Sequence, residues 1–308
     1  MSRIDTAILP ERPVAMTRIE TDICIIGAGS GGLSVAAGAV QMGAKVVLIE
    51  GHKMGGDCLN YGCVPSKALL AAGHKAHDTA SSAFGTKGHS TLPDFAAAKD
   101  HVAQVIETIA PVDSEERFEG LGVHVIREFA RFISETEVQA GAHVIKARRF
   151  VIATGSRPFV PPIPGLSDTP HHTNETIFDL RERPDRLIII GGGPIGMEMA
   201  QAHRRLGSQV TVLEGAKALG RDDPEAAALV LDKLRGEGIE IVEDATVAAV
   251  SGTEGAISVE TGDGRSFAGS HLLVAVGRRV NVERLDLEKA GVDYDRRGVT
   301  VDKGLRST

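Results

Sequence analysis

Two short apolar runs, each closed by glycines, set the pattern of this chain. Ile23-Cys24-Ile25-Ile26 runs into Gly27-Ala28-Gly29-Ser30-Gly31-Gly32, and Leu187-Ile188-Ile189-Ile190 runs into Gly191-Gly192-Gly193-Pro194-Ile195-Gly196. An apolar run of this length predicts a buried strand, and the helical composition after each predicts a helix, to about Met42 and to about Leu206. The two stretches are copies of one construction. A shift of 164 residues carries Gly27 onto Gly191, Gly43 onto Gly207, Glu50 onto Glu214 and Gly51 onto Gly215. In both copies a second apolar strand, Lys45 to Ile49 or Gln209 to Leu213, ends in glutamate.

Between the copies, Leu92 to Phe118 reads as helical, with Val102, Val105, Ile106 and Ile109 on one face. Strand-like patterning follows at His124–Ile126, Arg131–Ile133, Glu137–Val138 and His143–Ile145, and the region ends in Phe150-Val151-Ile152-Ala153-Thr154-Gly155-Ser156-Arg157-Pro158. Pro158, Pro161, Pro162 and Pro164 predict a stiff connection into the second copy. That copy continues through a helix near Pro224 to Gly236, then short strands around Ile239, Val247–Val250, Ile257–Val259 and Leu272–Val276. It closes at Ala275-Val276-Gly277-Arg278-Arg279.

Each glycine of the GxGxxG spacing has a physical task. Gly27 and Gly191 make the turn out of the strand, Gly29 and Gly193 let a pyrophosphate approach the backbone, and Gly32 and Gly196 let helix and strand pack closely. Glu50 and Glu214 are placed to accept hydrogen bonds from ribose hydroxyls. The expected fold class is therefore α/β, with two Rossmann-like dinucleotide-binding domains.

Redox chemistry is suggested by Gly55-Gly56-Asp57-Cys58-Leu59-Asn60-Tyr61-Gly62-Cys63-Val64-Pro65-Ser66-Lys67. Gly62 lets the backbone turn where a side chain would obstruct it, so the loop can bring the two sulfurs together. Closing so short a loop removes little unfolded-chain entropy, which suits a bond that opens and closes better than a staple. Pro65 is expected as the first position of a helix through Ser66 and Ala72, which places Cys63 at or next to its N-terminus. The partial positive charge there favours the thiolate form of a cysteine.

This segment resembles the active-site disulfide of the class I pyridine nucleotide-disulfide oxidoreductases, the flavoproteins that include lipoamide dehydrogenase, glutathione reductase and mercuric reductase. The resemblance extends from about Thr21 onward. It implies that the second nucleotide domain is inserted in the first: a tail at 1–17, an FAD-binding domain at 18–160, an NAD(P)-binding domain at 161–278 and a return segment at 279–308. Gly27, Gly29, Gly32 and Glu50 would hold FAD, with Ala130, Thr154, Gly155 and Ser156 as backbone-level contacts. Gly191, Gly193, Gly196 and Glu214 would hold the nicotinamide cofactor, with Gly277 closing over it. Glu214, followed by Gly215-Ala216-Lys217-Ala218 rather than arginines, favours NAD(H) over NADP(H). Lys67 would lie beside the flavin and pair with Glu198. Cys63 would be the thiolate nearer the ring and Cys58 the thiol that meets the substrate.

The implied function is that of an FAD-dependent disulfide oxidoreductase passing electrons between NADH, flavin and Cys58–Cys63, most like dihydrolipoyl dehydrogenase. The alternatives are a mercuric-reductase-like metal reductase and a catalytically incomplete nucleotide-binding fragment. A flavin-only redox protein would share both glycine motifs but lack the cysteine pair. The family's chains are considerably longer, so the sequence reads as a C-terminally truncated member. It would lack the strand that holds the FAD ribitol and the interface domain that forms the homodimer and supplies a His-Glu pair. Such an ending is expected to expose apolar surface on the flavin domain. Asp57 and Tyr61 depart from the family, which commonly has threonine and a small aliphatic there. Asp57 must point away from the FAD pyrophosphate or alter the flavin's potential.

Composition narrows the partners further. A length of 308 residues with 42% hydrophobic positions suffices for two domains. A net charge of -7 argues against a nucleic-acid partner, and no stretch approaches the roughly 20 apolar residues of a membrane span. The residues before Thr17 lack a signal-peptide apolar core. With three cysteines, a cytoplasmic protein is expected, and the resemblance implies a small-molecule or protein dithiol as its substrate. Cys24 reads as a core residue, Asp22, Arg127 and Arg131 as surface charges, and His171-His172 as a loop feature. The eleven histidines show no metal-ligand spacing, so no metal site is expected.

Overall fold

Both apolar runs become central strands with parallel neighbours on either side in the computed structural model, which describes residues 16–80 and 92–308. The first part comprises β1 (Thr17–Ile26), α1 (Ser30–Gln41), β2 (Val46–Ile49), α2 (Gly56–Asn60), α3 (Cys63–Ala80), α4 (Phe95–Ile109), α5 (Glu115–Gly120), β3 (His124–Ile126), β4 (Ala130–Ser134), β5 (Glu137–Ala140) and β6 (His143–Ile152). Its six-stranded sheet has the order β3-β2-β1-β6-β5-β4. After β7 (Ser156–Pro158) come β8 (Arg186–Ile190), α6 (Pro194–Arg205), β9 (Gln209–Leu213), α7 (Pro224–Gly236) and β10 (Glu240–Val242). An antiparallel sheet of β11 (Val247–Thr253), β12 (Ala256–Thr261) and β13 (Ser266–Gly269) leads to β14 (His271–Val274), and β15 (Arg278–Val280) follows. The second parallel sheet has the order β10-β9-β8-β14. Most of the expected N-terminal tail lies outside the described residues, and Thr17, assigned to it, already opens β1.

The internal repeat holds at the level of strand register. Ile26 pairs with Ile49 in one sheet, and Ile190 with Leu213, their counterparts, in the other. Gly27 donates its N–H to Ile49 O at 2.8 Å, and Gly191 donates to Leu213 O at 2.9 Å. Both glycines have positive φ, +107° and +114°, and a methyl group on either would sit 2.3 or 2.4 Å from the carbonyl oxygen of Ala153 or Ala275. Ala153 and Ala275 therefore occupy equivalent places after β6 and β14, each donating back to the end of the glycine-turn strand.

Three sequence expectations change. The helical stretch from Leu92 to Phe118 divides: α4 is capped by Asp94, a 3-10 turn at Ala110–Asp113 contains Pro111, and Ser114 caps α5. Proline lacks the N–H that would continue the α-helix. The strands around 143–145 and 150–152 are one ten-residue strand, in which Lys146 and Arg148 on one face and Arg149 on the other are exposed to solvent without breaking it. The expected apolar exposure of the flavin domain is narrowed at β4, where Val282, Leu285 and Leu287 of the return segment are buried in the same cluster as Phe132 and Val138, while Phe129, just before β4, stays 66% exposed. The two crossings between the units pair as a ribbon, β7 with β15.

Candidate functional site

The glutamates at the ends of β2 and β9 perform matching tasks. Glu50 accepts from Ala28 N at 2.6 Å and from His52 N at 2.7 Å. Glu214 accepts from Gly192 N at 2.7 Å and from Ala216 N at 2.9 Å. Each carboxylate thus grips the glycine turn with one oxygen and its own loop with the other. Neither α1 nor α6 carries a side-chain cap at its N-terminus, the arrangement that a pyrophosphate completes. A methyl group on Gly193 would meet nothing within 4 Å, and on Gly29 only Gly56 Cα at 3.8 Å. Space and donors therefore fit a dinucleotide at both turns.

The turn residues Ala153 and Ala275 lead into segments of different character. Thr154 Oγ1 donates to Asn281 O at 2.7 Å, Asn281 Nδ2 donates back to Thr154 O at 3.0 Å, and Gly155 O accepts from Asn281 N at 3.0 Å. Ser156 accepts from Arg278 at both Oγ and O. Polar groups expected to face a cofactor are thus largely engaged, at Thr154 and Gly155 by Asn281 of the return segment and at Ser156 by Arg278. Ala130 is buried at the start of β4, beside Phe129, whose ring closes over Gly51 next to Glu50. Gly277 is open, with nothing within 4 Å of an added methyl group.

Cys58 and Cys63 are both free thiols, the first half-buried on α2 and the second exposed as the opening residue of α3. The helix starts two residues earlier than expected, so Pro65 sits inside its first turn, where an N–H is not needed. Burial and a hydrogen bond with the Cys63 thiol push Cys58 up to about 11. A methyl group at Gly62 would lie 2.9 Å from Asp57 Oδ2, 3.0 Å from Asp57 O and 3.3 Å from Cys58 Cα, so any larger residue there would have to push Asp57 and the loop aside.

One helical turn beyond Cys63, Lys67 Nζ donates to both oxygens of Glu198 at 2.7 Å, joining α3 to α6. The sequence expected this pair, 131 residues apart. It did not reveal Asn174 or the task of Arg278. Arg278 Nη2 donates to Asp57 Oδ1 at 2.8 Å, and Asn174 Nδ2 donates to Asp57 Oδ1 at 3.2 Å and to Tyr61 O at 3.1 Å. The Asp57 carboxylate is therefore answered by a guanidinium. Cys24 is fully buried in β1, and burial pushes its thiol up to about 12, as a core residue requires. Among the described residues no helix is long and apolar enough to cross a membrane.

Comparison with known proteins agrees with this geometry. The pattern of the pyridine nucleotide-disulphide oxidoreductase family matches residues 21–308. The chain is 36% identical over 301 residues to a mercuric reductase of Acidithiobacillus ferrooxidans, covering 94% of this chain and 54% of that protein. It is 33% identical over 301 residues to a dihydrolipoyl dehydrogenase of Geobacillus stearothermophilus, covering 94% of this chain and 63% of that one. Among solved structures, the HOCl-induced flavoprotein disulfide reductase RclA of Escherichia coli superposes with a TM-score of 0.81 at 31% identity, covering 93% of this chain and 63% of the other. The chain thus spans a little over half to just under two thirds of the length of these relatives. With both nucleotide turns, the cysteine loop and the Lys67–Glu198 pair in the matched span, the chain belongs to the pyridine nucleotide-disulphide oxidoreductase family.

Proposed function

We propose that this chain forms the two nucleotide-binding domains of an FAD-dependent disulfide oxidoreductase, with residues 18–160 and 279–308 serving FAD and 161–278 serving NADH. The observation that carries the proposal is the meeting of a free cysteine pair with the Lys67–Glu198 bridge between the two nucleotide units. Bound FAD supplies the two-electron relay between a nicotinamide and the Cys58–Cys63 disulfide. Gly27, Gly29 and Gly32 receive its pyrophosphate, and Glu50 its ribose. Lys67 provides a cation one turn from Cys63, and Glu198 holds that cation in place. Cys63, exposed at the opening of α3, serves as the thiolate nearer the ring, and Cys58 as the thiol that meets the substrate.

A preference for NADH is supported by the surroundings of Glu214. Lys217 is held by Asp244 at 2.7 Å, Arg205 by Glu237 at 2.7 Å, and Arg204 by the carbonyls of Glu237 and Ser208. No neighbouring cation among these is left to take a 2′-phosphate. The substrate is a small-molecule or protein dithiol, as in dihydrolipoyl dehydrogenases, and reversible thiol chemistry suits the cytoplasm. Metal-ion reduction is the second reading, favoured by mercuric reductases at 34% to 36% identity among the relatives. The whole protein acts as a homodimer in this account.

The test uses the FAD-reconstituted chain and its Cys63→Ser variant. On reduction by dithiothreitol, the wild type should gain a long-wavelength absorption band that Cys63→Ser lacks and Cys58→Ser retains. A band that survives Cys63→Ser contradicts the roles given to the two cysteines.

A further inference from the structure

The loop that carries the two cysteines is fastened by residues far from it in sequence. Arg278 lies on β15, the strand by which the chain leaves the second nucleotide unit. Its guanidinium donates to Asp57 Oδ1 at 2.8 Å, while Nε donates to Ser156 Oγ at 2.8 Å and Nη2 to Ser156 O at 2.7 Å. Asn174, which is buried, reaches the same loop from another segment and bonds both Asp57 Oδ1 and Tyr61 O. The second oxygen of Asp57 turns inward. A methyl group built on Gly62 would lie 2.9 Å from Asp57 Oδ2 and 3.3 Å from Cys58 Cα. The carboxylate is packed against the thiol loop itself, and the ion pair is partly withdrawn from water, with side chains 25% and 39% exposed.

We propose that Asp57 and Arg278 act as one charge-balanced latch: the pair docks the thiol loop on β15, and Arg278 cancels the field that Asp57 would impose on Cys58 and Cys63. Both are positioning residues. The inference rests on the reading of Cys58–Cys63 as a dithiol couple.

The sign of each effect follows from electrostatics. A lone carboxylate beside a thiol disfavours the thiolate, and a lone guanidinium favours it. Paired, their fields largely cancel at the sulfurs. The other charges around the loop stay constant when this pair is altered. They are Lys67 held by Glu198, Asp113, which acts on Cys58, and Lys53 over the Tyr61 ring at 4.9 Å.

The experiment measures the rate of iodoacetamide alkylation at Cys58 and Cys63 against pH, read by peptide mass spectrometry on the full 308-residue chain. Asp57→Asn should move the midpoint down and Arg278→Gln should move it up, each by about half a pH unit or more. The double variant should return to the wild-type midpoint, and Arg278→Lys, which keeps the charge, should stay there. A part that only holds the fold would shift both single variants the same way or not at all, and either result overturns the latch. Should Arg278→Gln fail to fold, Asp57→Asn decides alone: a midpoint that stays or rises overturns it. A parallel equilibration of the wild type in dithiothreitol redox buffer separates the two failures. If no Cys58–Cys63 disulfide forms, the reading of the couple falls and the latch falls with it; if it forms and the midpoints do not diverge, only the latch falls.

Discussion

Lys99 should make the stability of this chain rise with pH in a window where few other groups act. It sits on α4 at 3% exposure, with Nζ donating to Ile177 O at 2.8 Å and lying 5.2 Å and 5.6 Å from the rings of Phe95 and Phe178. Burial pushes its ammonium down to about 7, a shift that Asp179 opposes only in part. In the unfolded chain a lysine titrates near 10.4. Between those values the unfolded chain binds a proton that the folded chain does not, so stability increases with pH there. Below pH 7 the folded chain carries the buried charge and the penalty is complete. Unfolded histidines titrate below the window; unfolded cysteines, near 8.5, titrate within it and oppose the rise, equally in wild type and in Lys99→Met. From pH 7 to 8.5 the Lys99 contribution is therefore about 1.6 kcal/mol, because half of the folded chain's proton is already lost at pH 7 and the slope reaches roughly 1.4 kcal/mol per pH unit only above it. Lys99→Met should abolish that slope and be more stable than wild type at pH 7, after a loss of about 1 kcal/mol for the unbonded Ile177 carbonyl. Since the chain has no tryptophan, urea unfolding followed by far-ultraviolet circular dichroism at several pH values is the assay. Parallel stability profiles for wild type and Lys99→Met would refute the reasoning.

Other perturbations separate the two units and the pair between them. A methyl group on Gly32 would lie 1.8 Å from Gly27 O, and on Gly196 2.0 Å from Gly191 O, so each alanine variant should cost about 2 kcal/mol or more. Gly32→Ala should lose FAD by flavin absorbance, whereas Gly196→Ala should keep FAD and lose NADH by fluorescence titration. Glu214→Ala should weaken NADH binding about tenfold, the effect of one lost hydrogen bond, with a smaller change for NADPH in the same titration. The Lys67–Glu198 bridge is 62% and 35% exposed, so Lys67→Met should alter stability by less than about 1 kcal/mol. In stopped-flow measurements the same variant should slow NADH-driven reduction of the disulfide at least tenfold.

What the sequence disclosed and what it withheld divide along a physical line. The glycine turns, both glutamates and the cysteine loop are short strings whose spacing is dictated by one local geometry, and the 164-residue shift recurs in the strand register. β6 was harder to read because Lys146, Arg148 and Arg149 face solvent within a strand that is continuous. The short helix α2 that carries Cys58 opens on Gly56 after Gly55, both with positive φ, which look in sequence like an open loop. Asp57 stood out as an unusual residue, yet its partner Arg278 is 221 residues away, and no pattern along a chain links such positions. The same holds for Val282, Leu285 and Leu287, whose packing on β4 becomes apparent only when the return segment is in place.

The account turns on whether Cys58 and Cys63 exchange electrons with a nicotinamide. The most direct measurement is anaerobic addition of NADH to the FAD-reconstituted, oxidised chain, followed by alkylation and mass spectrometry of the peptide that carries both cysteines. The account predicts that NADH converts the peptide from a disulfide, closed to the reagent, to one alkylated at both Cys58 and Cys63, and that NADPH does so far more slowly. A flavin that bleaches with NADH while both cysteines remain unlabelled would contradict it.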